Sequence, residues 1–161
     1  MIKDSGNRTE FDSGAVRDYK EGVGRCDLLP LDIIYDFYDD THGLFRALNI
    51  LRYDHDTVPL YNAMAKFSHV AFDNIETAIM EVSIHFEEGA KKYTERNWEK
   101  GIPTHSFVSS GIRHYLKYLR GDDDERHDRA FLWNMLCLLW TIKHHPELDD
   151  FTIKEREDNN D

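Results

Sequence analysis

The sequence EVSIHFEEGAKKYTERNW, residues 81–98, decides the fold class together with IETAIM, residues 75–80, which precedes it. Apolar side chains recur along this stretch at intervals of three and four residues, the period of an α-helix that buries one face. The apolar positions are Ile75, Ile79, Val82 and Phe86. Asp73 or Asn74 can cap the start of this helix, and Gly89 predicts its end.

Five other segments carry helical apolar spacing or the residues that start and stop helices. They cover about 31–38, 44–53, 57–72, 108–121 and 122–143. Strand signals are weak, because no alternating apolar run is bounded by hairpin turns. We therefore predict an all-α helical bundle with one domain over residues 1–148. Residues 1–27 form a polar arm with one short helical turn near Ala15–Tyr19, and residues 149–161 form a disordered acidic tail. Composition favours a flexible terminus for the arm. The alternative is that its glycine amides and its arginines, Arg8, Arg17 and Arg25, approach a phosphate.

Composition argues against several classes of function. The 161 residues carry a formal net charge of −11, which disfavours binding to duplex nucleic acid but is compatible with a local basic pocket. No apolar run is long enough to span a membrane, and the first residues lack the apolar core of a signal peptide. Cys26 and Cys137 lie far apart and indicate neither a zinc site nor a disulfide framework, so a reducing cytoplasm is the simpler location.

Two acidic clusters are candidates for a divalent metal site. Glu81, His85 and Glu88 share one helix face, and a second cluster runs from Asp122 to Asp128. Carboxylates on two facing helices can hold Mg²⁺ or Mn²⁺ beside a phosphorylated substrate. The predicted metal ligands are Glu81, Glu88, Asp124 and Asp128. The alternative is that these acids form solvated helix faces, as most charge runs do.

Cations and aromatic residues near these acids are candidates for contacts with a nucleotide. The predicted substrate-binding residues are Lys91, Lys92, Tyr93, Asn97, Trp98, Arg113 and His114. The cations and His114 would neutralise phosphate charge, and Tyr93 and Trp98 would contact the base. The alternatives are that Arg113 and His114 form a surface pair and that Trp98 pins a loop to the core. His127 can be a metal ligand, a proton shuttle or a structural histidine of the bundle.

Several sequence runs together resemble a known family. They are DSGNRTEFDSGAVRD (4–18), GRCDLLP (24–30), GAKKY (89–93), NWEKG (97–101), RHYLKYLRGDDDE (113–125) and HDRAFLWN (127–134). In combination they resemble the phage dATP/dGTP diphosphohydrolase N-terminal domain family. Members of that family are found in bacteriophages and some bacteria.

The resemblance implies an all-α domain in the style of the MazG-like nucleotide pyrophosphohydrolases. Those enzymes hold magnesium or manganese with carboxylates from two helices and release pyrophosphate from a nucleoside triphosphate. By the resemblance, Glu81 corresponds to the acid before GAKKY, and Asp124 or Glu125 with the following His127 corresponds to the second acidic segment. We assign Glu81, His127 and Asp128 to catalysis.

The leading prediction is a metal-dependent enzyme that hydrolyses dATP or dGTP to the monophosphate and pyrophosphate in the cytoplasm of a phage-infected host. We also expect a homo-oligomer, because MazG-like bundles often build their sites across subunits.

A second hypothesis is a non-catalytic nucleotide-binding module or sponge that acts against host defence signalling. MazG-like enzymes carry the pattern ExxE…ExxD, whereas this chain has E-x3-H-x2-E followed by D-x2-H-D. This departure favours the second hypothesis. A third is an acidic interaction protein that blocks a basic surface of a host protein, which the net charge alone favours.

Overall fold

The computed structural model describes residues 2–154. Those residues contain six α-helices, three short 3-10 helices and one two-stranded antiparallel sheet. The α-helices are α1 (Leu31–Phe37), α2 (Leu44–Asp54), α3 (Val58–Phe72), α4 (Ile75–Lys92), α5 (Thr104–Arg120) and α6 (His127–His144). The 3-10 helices are Cys26–Leu28, Asn97–Lys100 and Pro146–Leu148, and the strands are β1 (Arg8–Glu10) and β2 (Val16–Asp18). The prediction of an all-α bundle is confirmed.

The core is centred where α3, α5 and α6 meet. Phe67, Tyr115 and Phe131 are fully buried, and the Phe67 and Phe131 rings lie 4.6 Å apart in an edge-to-face arrangement. The Tyr115 ring lies 5.1 Å from the Phe131 ring. Edge-to-face rings add stabilisation beyond the area that they bury. Among the described residues, no helix combines the length and the apolarity needed to cross a lipid bilayer.

Helices α5 and α6 pack closely because Gly111 lies at their contact. A Cβ atom on Gly111 would overlap the methyl group of the fully buried Met135 and would lie 3.4 Å from the Cβ of Asn134. Three residues after Gly111, His114 on α5 meets His127 at the start of α6. The two helices therefore run antiparallel.

The polar arm differs from its prediction, because it contains a β-hairpin where we expected a helical turn. β1 and β2 pair with Arg8 opposite Asp18 and Glu10 opposite Val16. The Gly14 N–H donates to the Phe11 carbonyl at 2.8 Å, and Gly14 has a φ of +85°, which a glycine adopts without strain. Strands of three residues are too short to show an alternating pattern, so the sequence carries no strand signal there.

Two helix boundaries also differ from their predictions. Helix α4 continues past Gly89 to Lys92, and the Tyr93 N–H donates to the Gly89 carbonyl at 2.9 Å. Helix α6 starts at His127, so the predicted acidic first turn lies before the helix. The Asp122 N–H instead donates to the Lys117 carbonyl and caps the end of α5.

The buried face of α4 matches the predicted apolar face only in part, since Val82 is buried and Phe86 packs against the core. Ala78 and Val82 are buried, whereas Ile79 is 61% exposed and Ile75 is 39% exposed. Some of the apolar residues of α4 therefore lie outside the face that the neighbouring helices cover.

The start of the predicted acidic tail is packed against the domain. Phe151 is 2% exposed, and its carbonyl accepts a hydrogen bond from Arg52 Nη1 at 2.5 Å. The Ile153 N–H donates to the Arg52 carbonyl at 2.8 Å. Residues 149–154 therefore belong to the folded unit, because one buried phenylalanine anchors them to α2. Residues 155–161 of the predicted tail lie outside the described residues.

The contact at Gly111 gives a stability prediction. We expect Gly111→Val to lower the free energy of unfolding by about 1–3 kcal/mol, because the added methyl groups must displace Met135 in a filled core. Gly89→Ala is the matched control, since a Cβ at this helical glycine meets nothing within 4 Å. It should raise the free energy of unfolding by about 0.5–1 kcal/mol through helix propensity. Urea unfolding followed by circular dichroism measures both changes, and equal changes would contradict the proposed close contact.

Candidate functional site

A cavity of about 420 Å³ lies between the N-terminal segment and helices α4, α5 and α6. Its walls come from the hairpin and the residues up to Arg25, from the C-terminal end of α4 and the loop after it, and from one face each of α5 and α6. The cavity therefore combines residues that are distant in the sequence, and only the tertiary fold brings them together.

The lining of this cavity is strongly basic in a protein whose formal net charge is −11. Eight cations line it: Lys3, Arg17, Lys20, Arg25, Lys92, Arg96, Arg113 and Lys117. The carboxylates in the lining are those of Asp18 and Glu125. Carboxylates pair with four of these cations, which are Lys3, Arg25, Lys92 and Arg96. The excess of positive charge that remains attracts anionic ligands, so the cavity is suited to an anion.

Aromatic rings form the apolar part of the lining. The Phe86 ring lies 5.6 Å from the Trp98 ring and 6.0 Å from the Trp133 ring, and Tyr93 lies nearby in the same wall. Trp98 also meets Trp140 at 4.9 Å, so it both lines the cavity and anchors its loop. Flat apolar surfaces next to cations match a ligand that has an aromatic base and an anionic chain.

Arg113 is a cation of the lining that no carboxylate of the described residues neutralises. Its Nη1 donates to the Gly24 carbonyl at 3.3 Å, and its Nη2 donates to Ser110 Oγ at 3.1 Å. Burial lowers the pKa of Arg113. These neutral partners hold the guanidinium in place and leave its charge available to a ligand.

Two histidines and one acid are linked by hydrogen bonds between α5 and the start of α6. His114 Nδ1 lies 2.9 Å from His127 Nδ1, and His127 Nε2 lies 2.7 Å from Asp124 Oδ1. When His127 Nε2–H donates its hydrogen bond to Asp124, the lone pair of a neutral His127 lies on Nδ1 and faces His114. Burial, with a smaller effect from Arg113, lowers the pKa of His114 to about 2, so His114 is neutral at physiological pH. Neutral imidazoles are the form that binds metal ions.

Among the described residues, two groups of three side chains have ligand atoms close enough to share a metal ion. One group is His114, Glu125 and His127, and the other is Asp122, Asp124 and His127. The ligand atoms in each group lie within 4.8 Å of one another. His114 and Glu125 also line the cavity, so the first group is the one that a bound ligand can reach.

The structure places most of the predicted substrate-binding residues in the cavity wall. Those that line it are Lys92, Tyr93, Asn97, Trp98, Arg113 and His114. Lys91 lies outside the lining and pairs with Glu87 at 3.9 Å on the surface of α4. The helix directs Lys91 and Lys92 to different faces, which explains why only one of them reaches the cavity.

The structure does not gather the four predicted metal carboxylates at one point. Glu81 accepts hydrogen bonds from Arg129 Nε at 2.9 Å and from Arg126 Nη2 at 3.3 Å, and the Arg129 contact is the main cause of its lowered pKa. Asp128 pairs with Arg126 at 2.9 Å. None of Glu81, Glu88, Asp124 and Asp128 lines the cavity, and Asp124 alone belongs to one of the two metal-compatible groups of the described residues.

Several residues of the site were not among its predicted members, and Lys117, Glu125 and Arg17 are three of them. Lys117 lies one helical turn after Arg113 on the same face of α5, and this spacing is a signal that could have identified it. Glu125 lies in the second acidic segment beside Asp124, and only the turn between α5 and α6 decides which of them faces the cavity. The sequence offered Arg17 only as one of the arginines of the arm that can approach a phosphate, because its exact place depends on a hairpin that packs against helices far along the chain.

The comparisons with known proteins give one match. A family model described as "dATP/dGTP diphosphohydrolase, N-terminal" matches residues 62–151, which is more than half of the chain. The matched range includes the aromatic wall, Arg113, Lys117 and the group of His114, Glu125 and His127, but it excludes the hairpin. No curated protein and no solved structure matches the chain.

His85, in the cavity wall, gives a pH prediction. Burial, with the nearby Arg129 and Arg17, lowers the pKa of His85 to about 4 from an ordinary value of 6.5. Above pH 6.5 the His85 imidazole is neutral in both the folded and the unfolded protein. Between pH 6.5 and pH 4 the imidazole is protonated in the unfolded protein only. The free energy of unfolding should therefore fall as the pH decreases through this window, and His85→Gln should remove about 1–3 kcal/mol of that fall. Urea unfolding at pH 7, 6 and 5 measures this pH dependence. His69→Gln, at an exposed histidine, is the control and should keep the pH dependence of the wild type. The same pH dependence in His85→Gln would disprove the prediction.

Proposed function

The chain belongs to the dATP/dGTP diphosphohydrolase N-terminal family, and on this premise we propose that it binds a purine deoxynucleoside triphosphate in its cationic cavity. We further propose that it hydrolyses this nucleotide to the monophosphate and pyrophosphate with the help of a divalent metal ion. The observation that carries the proposal is a basic, aromatic-lined cavity in an acidic protein, with a metal-compatible group at its edge.

The phosphate chain of the nucleotide would lie against the cations of α4 and α5. Lys92, Arg113 and Lys117 come from two helices and face the same space. Arginine binds phosphate oxygens through two parallel N–H groups, and lysine adds a compact positive charge. Because Lys92 and Arg113 are held by hydrogen bonds to the Lys3 and Gly24 carbonyls before the ligand arrives, they can stabilise negative charge without reorganising.

The base would lie against the aromatic wall. Phe86, Tyr93 and Trp98 offer apolar surfaces, and a base that stacks on such a ring gains about 1–3 kcal/mol of binding free energy. The purine preference rests on the description of the family rather than on a hydrogen-bonding pattern in this wall.

The metal ion would be held by His114, Glu125 and His127. A set of two imidazoles and one carboxylate suits Mn²⁺ better than Mg²⁺, since Mg²⁺ prefers oxygen ligands alone. Asp124 would act through His127, whose Nδ1 lone pair it keeps directed toward the group. When bound, the ion supplies polarisation of a phosphate oxygen and lowers the pKa of a water molecule.

A second candidate function is nucleotide binding without hydrolysis, and the pairing of the acids favours it. Glu81 and Asp128 are neutralised by Arg126 and Arg129, and Asp124 pairs with Lys3 at 2.7 Å. A nucleotide sponge requires the cationic cavity and no metal carboxylates.

The first experiment is a panel of nucleoside triphosphates incubated with Mn²⁺ or Mg²⁺, with the products separated by chromatography. We expect dGTP or dATP to give its monophosphate and pyrophosphate, faster with Mn²⁺, and a chelator to stop the reaction. Glu125→Gln should lower kcat by roughly two orders of magnitude, because it removes the charged ligand of the group. Glu76→Gln, at an exposed position in the first turn of α4, is the charge-matched control and should leave kcat unchanged.

Three other outcomes of this panel are informative. If Glu125→Gln keeps full activity, the metal assignment is wrong. If nucleotides raise the melting temperature but are not hydrolysed, the protein is a binding module. If no nucleotide is hydrolysed and none raises the melting temperature, the cavity does not bind nucleotides, and the acidic interaction protein becomes the leading hypothesis.

A further inference from the structure

We infer that Arg17, on strand β2 of the N-terminal hairpin, binds a phosphate group of the ligand and positions it in the cavity. The hairpin would thereby complete the site from outside the range that the family model matches. The identity of the ligand as a nucleotide rests on the proposed function, but the binding of a phosphate or pyrophosphate anion does not require hydrolysis.

The guanidinium of Arg17 is held inside the protein but is not fully satisfied there. Its Nη2 donates to Asn134 Oδ1 at 2.9 Å. Its Nη1 is buried and has no hydrogen-bond partner among the described residues. The group lies 5.1 Å from the centre of the Phe107 ring and 5.6 Å from that of Trp133, so the rings fix its plane. A buried donor without a partner costs about 1–3 kcal/mol, which a ligand oxygen would recover.

The charge of Arg17 is also uncompensated. No carboxylate of the described residues lies within ion-pair distance of it, although Asp18 is its neighbour in the chain. Asp18 instead pairs with Lys92 at 3.7 Å and with Arg8 at 3.5 Å. Burial lowers the pKa of Arg17 to about 10, so the group is still charged at neutral pH. A buried cation is normally paired, and an unpaired one that lines a cavity indicates an anionic ligand.

The hairpin holds Arg17 in place through both of its chain neighbours. The Val16 N–H donates to Asn97 Oδ1 at 2.8 Å, and Asn97 Nδ2 donates to the Val16 carbonyl at 2.7 Å. The Asp18 N–H donates to the Tyr93 hydroxyl at 2.8 Å. These bonds fix the backbone on both sides of Arg17, and its side chain reaches Asn134 on α6 and the Phe107 ring on α5. The position is set before a ligand binds, which reduces the entropy cost of binding.

Arg17 and Arg113 make a pair of like charges that an anion would stabilise. Arg113 lies near enough to contribute to the lowered pKa of Arg17, and neither residue has a carboxylate partner among the described residues. A phosphate between them would replace repulsion by two attractive contacts. Both the phosphates of a nucleotide and free pyrophosphate have this chemistry.

The test measures binding of three probes by isothermal titration calorimetry without added metal: pyrophosphate, dGTP and deoxyguanosine. We expect Arg17→Gln to weaken the binding of pyrophosphate and of dGTP by roughly 10- to 100-fold and to leave deoxyguanosine unaffected. Arg17→Lys should be intermediate, because it keeps the charge and loses the planar fork. Arg46→Gln, at an exposed arginine of α2 outside this cavity, is the charge-matched control and should bind all three probes like the wild type.

The melting temperature of the free protein separates binding from a structural role. Removal of an unpaired buried charge should leave it unchanged or raise it. Wild-type affinity of Arg17→Gln for pyrophosphate would overturn the inference. If the melting temperature of this variant is also lower, Arg17 has a structural role instead. Absence of pyrophosphate and dGTP binding in the wild-type protein would overturn the inference as well. If wild-type binding is present and sensitive to Arg17 but no nucleotide is hydrolysed, the inference holds and only the proposed hydrolysis fails.

Discussion

The close packing of α5 against α6 at Gly111 is the constraint on which the rest of the site depends. Without a side chain at this position, the two helices approach until Asn134 and Met135 contact the backbone of α5. One turn along, the same approach brings His114 within hydrogen-bonding distance of His127. The two helices thereby form one wall of the cavity, and the aromatic cluster of Phe67, Tyr115 and Phe131 supports it from behind. A larger residue at 111 would have to displace the buried methyl group of Met135.

Most of the ion pairs among the described residues lie on the surface, and some include cations of the cavity lining, such as Lys3 and Lys92. On the outer face of α4 and α6, arginines and carboxylates neutralise each other, as in the contacts of Glu81 with Arg126 and Arg129. In the cavity, Arg17 and Arg113 have neutral hydrogen-bond partners instead. Buried charges without partners are costly, so their concentration in one cavity of an acidic protein is better explained by a ligand than by stability. This contrast, rather than the acidic clusters themselves, locates the candidate site.

The N-terminal segment contacts both the aromatic wall of the cavity and the metal-compatible group. Asn97 and Tyr93 are near the end of α4, where the aromatic wall begins, and both bind the backbone of β2. Lys3, at the start of the same segment, pairs with Asp124 and donates its N–H to Glu125 at 3.1 Å. The segment therefore covers the cavity from the aromatic wall to the metal-compatible group.

The sequence by itself determined the helices, because helical spacing and caps act over a few neighbouring residues. Asn74 caps α4 by accepting the Thr77 N–H at 2.7 Å, and Gly121 ends α5 with a φ of +85°, both as local patterns predict. Lys92, Tyr93, Trp98, Arg113 and His114, which the sequence grouped as candidates for one ligand, all line the same cavity. The tertiary structure alone decided which charges are neutralised and which face the ligand. Arg126 and Arg129, at the start of α6, pair with Glu81 on α4. Arg17, on strand β2 of the hairpin, contacts Asn134 on α6. These contacts join residues far apart in the chain, and no local spacing encodes them.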